Sequence, residues 1–199
     1  MENINSYNKT TSLIFKGVLL YTLCGIINGI VGPISSLSSA ASFLTGNGPG
    51  ALGIFSTILS VAIILGYVLF VYGINKLKGL VYQPDQKAVK RILVFVTLQI
   101  IAMFFGIFHL GIVKSIISVV AIIFGLLGYK GMKQSMTLPI SAKKGASNLY
   151  VAMILSIIGT LLGLIPLAGA VLNGILGTIA FILEILGWKK IATPVIVTN

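Results

Sequence analysis

Charge is what this chain has least of, and negative charge least of all. Only 3 of its 199 residues are Asp or Glu, charged residues make up 9%, and there is one Cys, one His and one Trp. Soluble domains carry roughly 25% charged residues. A chain that is 57% hydrophobic with a mean hydropathy of +1.08 has more apolar surface than folding in water can hide.

Each scarcity removes a class of function. Cys24, inside the first apolar run, has no second cysteine to pair with and reads as a small packing residue. His109 and that distant Cys fall short of the three or four ligands a metal centre needs. The Gly-x-Ser-x-Gly elbow of a serine hydrolase is missing, and the only Asp, Asp85, lies in a polar link, so two acids cannot share one depth in a membrane. A non-enzymatic protein without cofactor or metal is expected.

What the chain does have is long apolar runs in pairs. Leu149 to Ile165 is one run, Pro166 breaks it, and Ala170 to Leu186 is the next, ending at Gly187-Trp188-Lys189-Lys190. Each is close to the roughly 20 residues that cross ~30 Å of hydrocarbon at ~1.5 Å per residue. The short connection Ile165-Pro166-Leu167-Ala168-Gly169 allows only a tight turn between antiparallel helices. The runs are continuous rather than alternating, so helices are expected and not a barrel.

The same punctuation recurs along the chain. Lys143, Lys90 and Lys9 each stand sixteen residues before a glycine, at Gly159, Gly106 and Gly25. The pairs finish on Gly73-Ile74-Asn75-Lys76, Gly128-Tyr129-Lys130-Gly131 and Gly187-Trp188-Lys189-Lys190. The reading is an all-α membrane protein with six transmembrane helices in three tandem hairpins. Its parts are a polar N-terminal segment 1–12, hairpin 1 over 13–78 with a long external loop 33–50, hairpin 2 over 79–133, hairpin 3 over 134–190 and a tail 191–199. The polar links are expected at Val81–Lys87 and Lys130–Asn148. Ser38-Ser39-Ala40-Ala41 has the small residues of a cleavage site, but the preceding run outlasts a signal-peptide h-region, so an uncleaved first span is expected.

The net charge of +11 is not spread evenly. Thirteen of the fourteen Lys and Arg flank the hairpin feet, and only Lys114 falls at an outer turn. This positive-inside pattern puts both termini in the cytoplasm of a multi-pass protein in the cell membrane. The basic face then meets anionic headgroups of the lipid bilayer. Nucleic-acid binding is not expected, because no polar segment is long enough for a basic module with stacking aromatics.

Polar residues inside apolar runs are the default functional suspects. Glu184 is the one acid there, five residues before Lys189 and so about 7.5 Å along the helix from the inner edge. Gln99 is the deepest amide, eight residues past Arg91 or roughly 12 Å. Asn28 and Asn173 stand near the outer ends of the first and third hairpins. Small residues four apart, Gly25 and Gly29, Gly159 and Gly163, Ala62 and Gly66, are candidates for close helix packing. The expected function is that of a packing or assembly subunit, or of a self-associating membrane protein, with another copy or another membrane protein as partner. The alternative is a small transporter or channel with Glu184 and Gln99 in the pathway.

Overall fold

The computed structural model describes residues 4–45, 51–107, 111–162 and 168–193. Among the described residues the protein is all-helical, with α1 Ile4–Thr45, α2 Ala51–Leu80, α3 Gln83–Ile107, α4 Gly111–Lys133, α5 Ile140–Leu162 and α6 Ala168–Ile191. Among the described residues, three helices contain stretches long and apolar enough to cross a membrane: Ile4–Asn28, Leu52–Leu80 and Ile116–Lys133. The 29 residues of the second reach about 43 Å at helical rise, more than the hydrocarbon core requires. By length and composition these helices could cross a membrane.

The surface agrees with that chemistry. Along α2, Ile54, Ile58, Val61, Leu65 and Val68 form a stripe at helical spacing and all are exposed, Ile58 at 60%. On α4, Ile112, Ile116, Val119 and Ile123 do the same, and on α6 so do Ile175, Ile179, Ile182 and Leu186. Apolar surface this continuous is suited to lipid and not to water. Exposed hydroxyls are satisfied by their own helix: Thr57 donates to the Gly53 carbonyl at 2.9 Å, Thr97 to Leu93 at 2.9 Å and Thr178 to Gly174 at 2.8 Å. A hydroxyl facing hydrocarbon has no water to turn to, so the carbonyl four residues back is its natural partner.

The chain divides into two compact units, residues 1–15 with 71–199, and residues 16–70. In the larger unit α3 packs on α4, α4 on α5 and α5 on α6. Its largest fully buried side chains are Trp188, Tyr7, Ile14, Ile74, Leu77, Ile92, Met132, Leu149 and Ile191. All nine lie within a few turns of the lysine-bearing helix ends. In the smaller unit, α1 and α2 cross with Val18, Thr22, Leu59 and Phe70 buried.

Helix ends depart from the sequence reading in three places. The polar segment expected over 1–12 is helical from Ile4, because Tyr7, Thr10, Thr11 and Ile14 share one face and all are buried. The loop expected over 33–50, with a short interfacial helix over Ser35 to Leu44 as the alternative for its first part, is helical as far as Thr45 and continuous with α1. Pro33 removes a single backbone donor, and the Ser, Ala and Leu that follow carry no turn residue until Gly46. The polar links are also shorter than expected, 81–82 and 134–139. Lysine and arginine are good helix formers, so they mark the edge of an apolar run and not the end of a helix.

Each short link is closed by its own hydrogen bonds. The Tyr82 carbonyl accepts from the Asp85 and Gln86 amides at 2.9 and 3.1 Å, and Pro84 sits in the first turn of α3, where no amide is needed. Ser135 Oγ accepts from the Thr137 and Leu138 amides at 3.1 and 3.0 Å, and the Lys143 amide reaches the Pro139 carbonyl at 3.0 Å to open α5.

Candidate functional site

The most constrained geometry lies where glycine lets helices touch. In the larger unit one glycine near the lysine-bearing end of each of α2, α4 and α6 meets the preceding helix. A Cβ on Gly73 would fall 2.5 Å from Ile14 Cγ1, one on Gly128 would fall 3.1 Å from the Ala88 carbonyl, and one on Gly187 would fall 2.9 Å from the Gly145 carbonyl. Gly145 in turn would clash with the Gly187 carbonyl. In the smaller unit the same device joins α1 and α2, with Gly17 and Gly66 each set 2.9 Å from the other's carbonyl by this measure. Beside them the Tyr21 and Tyr67 rings stack with centroids 4.4 Å apart. Backbone approach of this kind holds helices together where burial of apolar surface cannot.

Side chains tie neighbouring elements of the larger unit at the same level. Thr137 in the α4–α5 link donates to the carboxylate of Asp85, which is 4% exposed and lies in the first turn of α3. Buried Tyr7 of α1 lies within electrostatic reach of that carboxylate. Tyr129 at the end of α4 meets Phe95 of α3 and Trp188 of α6 edge-on, with both pairs of centroids 6.3 Å apart. The Lys133 ammonium stands 5.5 Å from the centre of the Tyr150 ring, joining α4 to α5.

The polar residues singled out from sequence are distributed among these elements. Glu184 is half-buried on α6, within electrostatic reach of Tyr129. Gln99 is half-buried on α3. Asn28, in the smaller unit, accepts a 2.8 Å hydrogen bond from Ser56 Oγ, which couples α1 to α2. Asn173 belongs to α6, with its side chain outside the described set. Of the small residues, Gly66 is in backbone contact, Ala62 four residues before it is half-buried, Gly159 is buried and Gly25 faces open space. Gly29 belongs to α1, and Gly163 and His109 lie outside the described residues. Among the described residues no cluster of three or more His, Cys, Asp or Glu could hold a metal ion.

The chain matches no protein-family model, no curated protein and no solved structure. Its function is therefore argued from its own residues.

Reading for glycines four apart within one helix missed Gly17 and Gly145, whose partners are on the neighbouring helix. The available signal was their place directly after a basic residue, Lys16 and Lys144, at the foot of a run.

Proposed function

We propose that this chain is a six-span membrane protein of three tandem hairpins, with both termini on the cytoplasmic side, that acts by packing against another copy of itself or another membrane protein and not by catalysis. The observation that carries the reading is the contrast on the helices themselves. Large apolar side chains stay exposed along α2, α4 and α6, while Asn28 is engaged by Ser56 between α1 and α2 and Asp85 by Thr137 of the α4–α5 link. The parallel use of Gly73, Gly128 and Gly187 supports the threefold repeat, since each glycine seats the same part of its own hairpin. Lysines at one end of every hairpin support the orientation.

The test is the mass and composition of the particle purified in native nanodiscs. A second membrane protein at fixed stoichiometry, or a defined oligomer of this chain, is the expected result. A lone monomer with no partner under those conditions contradicts it.

A small transporter or channel is the second reading, and the position of Glu184 favours it. A half-buried carboxylate within electrostatic reach of buried Tyr129 is the arrangement that could carry a proton or cation. Loss of ion or proton flux in Glu184→Gln, with normal expression, would support transport over assembly.

A further inference from the structure

The α4–α5 link carries an apolar tip in a basic setting. Met136 is 98% exposed and Ile140 68% exposed, although neither belongs to the apolar run of a helix. The link is not loose: Ser135 Oγ accepts two amides, Thr137 is held by Asp85, and Leu138 is buried. Met136 is thus presented by a fixed turn.

Lys130 and Lys133 stand in the last turn of α4, and Lys143 and Lys144 at the start of α5. Residues 130–144 contain no acid. Asp85, the acid that touches the link, is buried and engaged by Thr137, so it does not offset the lysines at the surface. Lys133 is steadied over the Tyr150 ring.

We propose that this link is a membrane-surface anchor, with Met136 and Ile140 entering the headgroup and acyl-chain boundary and Lys130, Lys133, Lys143 and Lys144 on anionic phospholipid headgroups. The proposal rests on the membrane reading above. It is favoured by reach: Met136 is three residues beyond Lys133, where a candidate span ends, and an extended chain covers at most about 3.5 Å per residue. The tip therefore stays within about 10 Å of Lys133, which the proposal sets in the headgroup layer. An apolar tip between lysines is also the chemistry that anionic leaflets attract.

The full chain is placed in nanodiscs with Cys24→Ser as background and a polarity-sensitive dye on Met136→Cys, and with a second protein labelled at Ile58→Cys on the exposed stripe of α2. Discs are phosphatidylcholine alone or with added phosphatidylglycerol, and the single Trp188 reports that each variant is folded. In anionic discs the dye at 136 is expected to shift to the blue and lose quenching by iodide. That shift is expected to disappear in neutral discs and when the four lysines are changed to glutamine.

Aqueous emission at 136 in anionic discs, with apolar emission at 58, overturns the anchor and leaves the membrane reading standing. Aqueous emission at both positions overturns both. A blue shift at 136 that ignores lipid charge and the glutamine changes overturns the anionic-lipid assignment.

Discussion

The two ends of the hairpins in the larger unit are built on different principles. At the lysine-bearing end, Trp188, Met132, Ile92, Leu149 and Ile191 are fully buried, glycines bring backbones together, and Asp85, Tyr129 and Lys133 bridge helices. Toward the other end of α4 and α6, Ile112, Ile116, Leu172 and Ile175 remain exposed. On the membrane-spanning reading proposed above, the difference follows from the solvent each end meets. Near water, burying a large side chain is favourable, while in lipid an apolar side chain gains nothing by leaving its surroundings for another helix. A membrane protein can therefore place its tightest packing at the wet end and leave the rest of each helix to lipid.

Substitutions that exchange the two ends sharpen the contrast. Trp188→Ala removes the largest buried side chain and should cost about 3–5 kcal/mol, read as loss of the folded peak on heating in detergent. Ile116→Ala, at the other end of the neighbouring helix, should leave the midpoint within about 0.5 kcal/mol. Gly145→Leu should cost about 1–3 kcal/mol or more, because the added atoms meet the Gly187 carbonyl. Gly177→Leu, on the same hairpin but with open space around it, is expected to be silent in the same assay.

Asp85→Ala comes next, at about 1–3 kcal/mol, since it removes the buried carboxylate that Thr137 donates to and frees the α4–α5 link. Faster hydrogen exchange confined to residues 134–139 would mark that loss. The smallest expected effect is Asn28→Ala, about 0.6 kcal/mol for one interhelical hydrogen bond with Ser56. If Ile116→Ala proved as costly as Trp188→Ala, the assignment of the tightest packing to the basic end would be wrong.

How far these features could be read from the chain depended on the kind of signal. The helices themselves were legible, because an apolar run next to a lysine and a glycine leaves little else for it to form. Their ends were not. Lys130, Lys133, Lys143 and Lys144 read as loop by polarity, yet they continue or open helices. The first turns of α1 were hidden for a related reason: Tyr7, Thr10 and Thr11 look solvent-facing by type, but their spacing places them on the face of Ile14, and burial followed spacing. Asp85 was visible as the only aspartate and dismissed as a link residue. Its partner Thr137 lies 52 positions away, and no local pattern announces such a pair.

The most direct experiment is a map of single cysteines with a membrane-impermeant thiol reagent in sealed vesicles of known sidedness. Lys87→Cys, Gln134→Cys and Lys190→Cys should all label from one side, Leu52→Cys and Ile112→Cys from the other, and Ile58→Cys from neither. Labelling of Ile58→Cys in unbroken vesicles, or basic-end positions that react from opposite sides, would contradict the membrane-spanning hairpins and with them the account of why the two ends differ.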